Sequence, residues 1–264
     1  NIDKITITNA RKTVLEFFEN EIKFFTSSEL IKKTNVSSSV INKLIEENVL
    51  KAVEYEEQNN TDKVYSKKFD LNKHQTKAAN NIINSIKNNK FERFLIDGVT
   101  GSGKTEVYFE AVEEALKENK QSLILLPEIS LTDSLFDRIK VRFGFEPSMW
   151  HSNLSKKKRR DIWQDIYHGN SKLIIGARSS LFLPFKNIGL IVVDEEHDHS
   201  YKQQEGIIYH ARDMAISLAS FEKIPVVMVS ATPSLESVLN VKEGKYKNLV
   251  LPERIGDAIL PEID

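Results

Sequence analysis

A glycine-rich run at residues 98–105 has the residue types that bind a phosphate chain. The run reads Gly-Val-Thr-Gly-Ser-Gly-Lys-Thr and matches the P-loop pattern G-x-x-x-x-G-K-[ST] at every fixed position. Glycines let backbone N–H groups curl around an anion, Lys104 can reach the β- and γ-phosphates, and Thr105 can ligate Mg²⁺. We therefore expect a nucleoside triphosphate site formed by Gly98, Thr100, Gly101, Ser102, Gly103, Lys104 and Thr105.

An acidic pair later in the chain has the residue types that complete such a site. The apolar residues 190–193 end in Asp194 and Glu195, which is the form of a Walker B element. Asp194 would hold Mg²⁺ through water, and Glu195 would orient and polarise the water that attacks the γ-phosphate. With Thr105 as the other Mg²⁺ ligand, the two elements predict an enzyme that uses ATP and Mg²⁺.

The elements that must position these residues are short apolar runs separated by helical stretches. Continuous apolar runs of this kind are typical of strands buried on both faces. Their alternation with helices predicts an α/β fold with a mainly parallel sheet, in which ligands bind at the carboxyl ends of the strands. The predicted strands are residues 94–96, 122–126, 172–175, 190–193 and 225–229.

The first 66 residues have a different pattern, which predicts a small winged-helix domain ahead of a second domain at 67–264. Lys43, Glu46 and Glu47 give its third helix mixed charge, so reading of a DNA groove and a placement or protein-contact role stay equally open. The predicted elements are a helix at 9–19, a helix opened by a capping box at 26–29, a helix from about Ser37, a strand at 49–53 and a wing turn at 59–62.

Composition excludes several classes of site. The 264 residues include no cysteine, so disulfides and thiolate metal sites are excluded within the chain. His197, His199 and His210 have no common zinc spacing. A net charge of −1 gives no global basic signature, so contacts with nucleic acid need local patches. No apolar run approaches the roughly 20 residues that span a bilayer, and we expect a cytoplasmic protein without a membrane partner.

Five blocks of sequence carry a resemblance to known enzymes. Asp194-Glu195-Glu196-His197 has the D-E-x-H form of the DEAH-type superfamily 2 helicases, and Ser230-Ala231-Thr232 follows a predicted strand as in those enzymes. More narrowly, the chain resembles the PriA family of replication-restart helicases, also called primosomal protein N′. The matching blocks are residues 98–108, 126–132, 175–182, 194–204 and 230–237.

The resemblance implies roles for further residues. Gln75 would recognise adenine, and His197 would join Lys104, Asp194 and Glu195 in the ATPase site. His197, Ser230 and Thr232 would couple the nucleotide site to DNA. Tyr201 would stack on a base and Lys202 would meet a phosphate. The residues implied to touch the backbone of single-stranded DNA are Pro127, Glu128, Ser130, Arg178 and Ser179.

The resemblance also implies a RecA-like first helicase lobe and a function. The family members are ATP-dependent 3′ to 5′ DNA helicases that restart replication forks and assemble primosomes. The implied partners are single-stranded and forked DNA, primosome proteins and single-strand-binding protein, and we expect a monomer. The family's second lobe and cysteine-rich zinc-binding region have no counterpart here, so we expect a nearly inactive fragment without zinc.

Two other functions remain open at this point. A nucleotide-sensing regulator could bind DNA through the winged helix, although it would not need Glu195. Another DNA-dependent translocase would share the ATP site and differ in its partners.

A basic run at residues 156–160 also has two interpretations: a solvated helix start, or a contact with DNA. We expect Trp150 and Trp163 to lie in the core.

Overall fold

The computed structural model describes residues 8–20, 27–47, 49–51, 69–127 and 133–254. The chain divides into two compact units, Asn1–Asn60 and Thr61–Asp264. No helix in the described ranges is long and apolar enough to cross a membrane.

The first unit contains the three helices expected from the sequence. They are α1 (Asn9–Asn20), α2 (Ser27–Thr34) and α3 (Ser38–Glu46). Val14 of α1 and Leu44 of α3 are buried together, and Arg11 forms a 2.7 Å ion pair with Glu47 at the end of α3. Residues 49–51 are not in a strand, and the rest of the predicted strand and the wing turn lie outside the described residues, so the winged helix stays a prediction.

The second unit is a parallel sheet with helices on both faces. Its strands are β1 (Arg93–Gly98), β2 (Gln121–Leu125), β3 (Ser148–Trp150), β4 (Leu173–Gly176), β5 (Ile188–Asp194), β8 (Val226–Ser230) and β9 (Lys247–Leu251). Their order is β3-β4-β2-β5-β8-β1-β9, and every pair is parallel. The predicted α/β fold with a mainly parallel sheet is confirmed.

The helices of this unit cover the sheet as two layers. They are α4 (Lys73–Lys87), α5 (Lys104–Lys117), α6 (Asp133–Phe143), α7 (Lys156–His168), α8 (Ala211–Glu222) and α9 (Leu235–Lys242). Side chains alternate between the faces, so Phe94 and Ile96 pack with α4, α5 and α6 while Leu95 packs with α7 and α8. Because all strands are parallel, their carboxyl ends lie along one edge.

Some elements were not expected from the sequence. The five predicted strands are present. The sequence did not predict β3, which has only three residues, or β9, in which exposed and buried positions alternate. A small antiparallel hairpin, β6 (Lys202–Gln203) and β7 (Tyr209–His210), follows β5. The expectation for Trp163 was wrong, since its side chain is 43% exposed, whereas Trp150 is half-buried against the core.

Candidate nucleotide and nucleic-acid site

The P-loop connects the carboxyl end of β1 to the first turn of α5. Gly101 and Gly103 have φ angles of 81° and 79°, a left-handed conformation that glycine adopts without steric cost. Gly98 is needed for a different reason, because a Cβ there would lie 2.5 Å from Ser102 Oγ and 2.9 Å from Leu251 Cβ. The three glycines therefore shape a loop whose N–H groups lie at the positive end of the α5 dipole.

Lys104 directs its ammonium group back over this loop. Its Nζ donates to the carbonyl oxygens of Gly98 at 2.8 Å and Val99 at 3.3 Å. Burial lowers the pKa of Lys104 below its usual value, while the carboxylates of Glu195 and Asp194 oppose that shift. An ammonium group held by neutral carbonyls can exchange those bonds for stronger bonds to phosphate oxygens.

The Ser102 hydroxyl faces the inside of the P-loop. Its Oγ is buried against Gly98 and has no hydrogen-bond partner among the residues that the structure describes. A buried hydroxyl without a partner is unfavourable by about 1–3 kcal/mol. The groups of the loop that fit the triphosphate of a nucleotide are its N–H groups and Lys104, which lines the cleft described below.

Asp194, at the carboxyl end of β5, is held on both carboxylate oxygens. Oδ1 accepts a hydrogen bond from the Glu195 N–H at 2.9 Å, and Oδ2 accepts one from the Tyr108 hydroxyl at 2.9 Å. Burial raises the pKa of Asp194 to about 6, although the Tyr108 hydrogen bond lowers it. The result is a fixed oxygen donor of the kind that Mg²⁺ prefers.

Glu195, the next residue, is more exposed than Asp194 and has an unusual backbone conformation. Its φ angle is 48°, which is uncommon for a residue with a side chain, and its side chain is 43% exposed. The left-handed turn directs it away from the sheet, since a regular strand would continue past Asp194. Backbone conformations of this type cluster at active sites. The partly exposed Glu195 carboxylate can contact water, whereas the neighbouring Asp194 carboxylate is fixed by two hydrogen bonds.

One cleft of about 430 Å³ collects the nucleotide-site residues. It is lined by Thr100, Gly101, Gly103, Lys104, Thr105, Asp194 and Glu195, all expected from the sequence, and by Phe69, Glu106, Arg138 and Ala231, which were not. Arg138 donates to Glu106 at 2.6 Å. Thr105 and Asp194 line the same cleft, as two Mg²⁺ ligands must.

Gln75 lies behind the P-loop. Its Nε2 donates to the Ser102 carbonyl at 2.8 Å, and its Oε1 accepts from the Asn72 N–H at 2.8 Å in a capping box that starts α4. The side chain is buried. Both ends of the amide thus bind the protein itself, and recognition of adenine by Gln75 stays a prediction.

His197 joins the ends of β5 and β8. Its Nδ1 lies 2.8 Å from Ser230 Oγ and 3.7 Å from Glu195 Oε2. Ser230 Oγ also accepts from the Thr232 N–H at 3.0 Å. The three residues that the resemblance marked for coupling are therefore in one chain of contacts beside Glu195.

Glu196 anchors the same turn and was not singled out by the sequence. This buried carboxylate accepts from the Ser234 N–H at 2.7 Å and from Arg212 Nη1 at 2.9 Å. The Ser234 and Ser237 hydroxyls each donate to it at 2.9 Å. The turn after β5 is thereby fixed to α8 and to the start of α9.

The residues expected to touch DNA lie at the ends of β2 and β4 and near the hairpin. Arg178 donates to the Lys202 carbonyl at 2.8 Å, and Lys202 is exposed. Ser179 is also exposed, and its Oγ accepts from Trp150 Nε1 at 3.2 Å. Pro127 is buried at the end of β2, and Glu128 and Ser130 lie outside the described residues.

The expectation that Tyr201 stacks on a base is wrong for this conformation. Its ring is fully buried, and its hydroxyl lies 3.0 Å from the Leu125 carbonyl oxygen and 2.5 Å from that of Asp194. Because the ring packs into the apolar layer below β5, no face is open to a base. Tyr201 instead links the end of β2 to the Walker B strand.

Residues 72–241 match the family model described as DEAD/DEAH box helicase. The chain belongs to this family. The curated relatives include Replication restart protein PriA of Bacillus subtilis, 41% identical over 242 residues, which are 90% of this chain and 30% of that protein. The protein of the same name from Haemophilus influenzae is 50% identical over 188 residues, 71% of this chain and 25% of that protein. The chain thus spans less than a third of the length of these relatives.

Solved helicase structures have the same fold as the second unit. RecG bound to a three-way DNA junction is 20% identical, with a TM-score of 0.50 over 72% of this chain and 25% of that one. The helicase MrfA bound to DNA and AMPPNP is also 20% identical, with a TM-score of 0.50 over 68% of this chain and 27% of that one. At this level of identity the similarity supports the DEAD/DEAH helicase fold alone.

Within this helicase domain, the sequence patterns missed the residues that hold the Walker B turn. Tyr108 lies in α5 between apolar positions, and its hydroxyl meets an acid 86 positions away. The signal available was a tyrosine on a buried helix face, because a buried tyrosine hydroxyl requires a partner. Glu196 and Arg212 gave a weaker signal, since each is a charged residue next to buried positions.

Proposed function

We propose that this chain is the ATP-binding lobe of an ATP-dependent 3′ to 5′ DNA helicase that acts in replication-fork restart and primosome assembly. The observation that carries the proposal is the cleft in which the P-loop faces a doubly held aspartate and an unburied glutamate. Membership of the DEAD/DEAH family supports a helicase, and identity of 41% and 50% to two PriA proteins supports a role in replication restart.

In the proposed site, the P-loop and Lys104 hold the triphosphate. Gln75 recognises adenine by exchanging its amide bonds to Ser102 and Asn72 for bonds to the base. Thr105 and Asp194 hold Mg²⁺, which when bound neutralises phosphate charge. Glu195 orients and polarises the attacking water, since phosphoryl transfer depends on positioning and electrostatics. The contacts of His197 with Glu195 and Ser230 give a route by which the site responds to DNA.

The proposed partners are single-stranded and forked DNA, primosome proteins and single-strand-binding protein. Arg178, Ser179 and Lys202 supply exposed or half-buried polar groups near the carboxyl edge of the sheet, where ligands of such sheets bind. We further propose residues 1–66 as a winged-helix domain and 67–264 as the RecA-like lobe, acting as a monomer. A second lobe would close the ATP site with arginine, so turnover by these 264 residues alone is expected to be very slow.

The direct test is ATP turnover by a longer protein that contains this chain and a second helicase lobe. Turnover should rise on addition of forked DNA with a single-stranded arm, and Lys104→Ala should abolish the stimulated rate. If the rate of ATP turnover does not change when DNA is added, the helicase function is refuted and the protein is an ATPase that does not depend on DNA. Strand displacement on forks separates a helicase from a translocase that moves without unwinding.

Glu195→Gln distinguishes the motor from a nucleotide-sensing regulator. The amide keeps the size of the side chain but cannot act as a base, so ATP binding should persist while turnover falls by about 10²–10⁴-fold. Both are measured in the longer protein with its second lobe, binding with a fluorescent ATP analogue and turnover by phosphate release. Unchanged turnover in this variant would refute the assignment of Glu195.

A further inference from the structure

The exposed side of α7 is a surface that the proposed site does not use. Lys156, Arg160, Trp163 and Tyr167 are spaced by four, three and four residues, which places them on one side of the helix. We call these four residues the α7 face. Ile162 and Ile166, each one helical step of about 100° from Trp163 and Tyr167, pack into the core, so the helix presents the α7 face from a fixed position.

The aromatic part of the α7 face is a stacked pair open to solvent. The rings of Trp163 and Tyr167 have centroids 5.7 Å apart and planes 7° from parallel. Their side chains are 43% and 55% exposed. The two nearly parallel rings form a stacked aromatic pair, and an unpaired base can extend this stack on an outer face, so we call the pair the aromatic platform.

The basic part lies one to two turns earlier on the same helix. Residues 156–160 are all exposed cations at the amino end of α7, where positive charge opposes the helix dipole. Lys156, Lys157 and Lys158 form no ion pair with any residue that the structure describes. The ion pair of Arg160 with Asp161 is long, at 3.8 Å, and exposed. Uncompensated positive charge of this density suits an anionic partner.

The start of α7 is also connected to the residues proposed to touch DNA. The Arg159 guanidinium lies 5.5 Å from the centre of the Trp150 ring, and Trp150 Nε1 donates to Ser179 Oγ at 3.2 Å. The Ala177 N–H bonds to the Trp150 carbonyl at 3.1 Å. A strand that passes Arg178 and Ser179 therefore meets Trp150 and then α7.

We propose that the α7 face binds single-stranded nucleic acid, with phosphates on Lys156 and Arg160 and bases stacked on Trp163 and Tyr167. This inference rests on the proposed function, because it extends the DNA path of that function beyond Ser179. A duplex keeps its bases stacked inside the helix and could use only the cations, so the platform favours single strands.

The test is the affinity of the 264-residue chain for a fluorescent oligothymidylate at several salt concentrations. Lys156→Gln with Arg160→Gln should reduce the slope of log K against log salt by about 1.4, the value for two phosphate contacts on a single strand. Trp163→Ala should weaken binding about tenfold without changing the slope, and Trp163→Phe should retain most of the affinity.

Matched controls are available on the same domain. Lys77→Gln with Lys242→Gln removes the same charge from two exposed lysines on α4 and α9, and should leave the slope unchanged. Phe221→Ala removes an aromatic side chain that is 84% exposed on α8, and should leave the affinity unchanged. Nucleotide binding by each variant reports that the domain is folded.

The outcomes separate this inference from the proposed function. If the unmodified chain binds no oligothymidylate, the α7 inference is overturned, while the proposed function is still decided by DNA-stimulated turnover of the longer protein. If it binds and Arg178→Ala weakens binding while the α7 variants do not, only the α7 inference fails. Equal binding of duplex and single strand through the α7 cations also overturns it. The inference is also overturned if the α7 variants lose affinity for polyglutamate but keep their affinity for oligothymidylate, because the partner of the α7 face would then be an acidic protein.

Discussion

The P-loop and the turn after β5 face each other across one cleft, but they are held in different ways. The P-loop is exposed at Thr100 and Gly101, and the ammonium group of Lys104 bonds to carbonyl oxygens of the loop itself. The turn after β5 is fixed by side chains from α5, α8 and the start of α9.

The difference teaches which half of the site a ligand can reorganise. The bonds of Lys104 within the loop can be exchanged for bonds to phosphate, while the Ser102 carbonyl stays bound to Gln75 of α4. The carboxylates cannot move in the same way, because Asp194 and Glu196 have partners on three helices. We infer a site with adaptable phosphate donors and preorganised acids, which is an arrangement that favours electrostatic catalysis.

The largest expected effect comes from breaking the anchor of the turn. Glu196→Ala removes the 2.9 Å carboxylate partner of the buried Arg212 guanidinium and leaves it the Ser234 hydroxyl at 2.6 Å and more distant carboxylates at 3.8 and 4.0 Å. The free energy of unfolding should fall by about 3 kcal/mol. Urea denaturation measures this loss. Glu195→Gln is the matched control on the same turn and should change stability little, since Glu195 is far more exposed. Equal destabilisation by both would contradict the comparison.

The second expected effect is on the opposite side of the cleft. Lys104→Ala removes a charge-assisted bond to phosphate, and the affinity for a fluorescent ATP analogue should fall by about 100-fold. The melting temperature without nucleotide should hardly change, because the hydrogen bonds of Lys104 to described residues are bonds to P-loop carbonyls. Lys77→Ala, an exposed lysine on α4, is the control for charge. A large loss of stability in Lys104→Ala would show that the loop is not adaptable.

The acidic side should also respond to pH. The pKa of Asp194 is raised by burial to about 6, so the folded chain holds a proton that the unfolded chain has released above its ordinary pKa of 3.8. Its contribution to stability is therefore present below pH 3.8 and lost as pH rises through about 6. Mg²⁺ competes with this proton, so Mg²⁺-dependent nucleotide binding should strengthen as pH rises through the same window.

Asp194→Asn is the variant that checks this pH dependence. It should flatten the change in melting temperature between pH 3.8 and about 6, because the amide does not titrate. An unchanged profile would assign the pH dependence to another group.

The sequence predicted the parts of the site that are contiguous along the chain. The P-loop and the acidic pair are local patterns, and the five predicted strands are continuous apolar runs, so each could be recognised alone. Tyr108 and Asp194 are far apart along the chain, and the same holds for Glu196 and Ser234, so no local pattern joins them. Those contacts exist because parallel strands bring their ends to one edge.

The two aromatic residues that were wrongly assigned teach a related lesson. Trp163 is next to the apolar Ile162, but one helical step of 100° directs it away from the core. Tyr201 follows a polar stretch, yet the hydroxyl finds two carbonyl acceptors beneath the sheet edge and the ring is buried. Residue type alone did not decide exposure in either case, because the direction of the side chain depends on the packed elements.

The smallest expected effect comes from the hydrogen bond between Tyr108 and Asp194, and it tests directly whether side chains from other elements hold the acidic side of the cleft. Tyr108→Phe removes the hydrogen bond to Asp194 Oδ2 and keeps the ring, which packs edge-on against Phe109 at 5.2 Å. One such bond is worth about 1 kcal/mol, so the Mg²⁺ concentration needed for half-maximal nucleotide binding should rise about fivefold. Nucleotide binding without Mg²⁺ should be unchanged, because Tyr108 does not line the cleft. The pKa of Asp194 should also rise, since the hydrogen bond lowers it.

Tyr246→Phe is the matched control for this variant, because it removes the hydroxyl of a tyrosine that is buried just before β9, away from Asp194. It should leave the Mg²⁺ dependence and its pH midpoint unchanged. If Tyr108→Phe lowers stability but leaves both of those unchanged, then Tyr108 only packs the helix. The Walker B aspartate would in that case be held by its own backbone, and the contrast between the two sides of the cleft would depend on Glu196 alone.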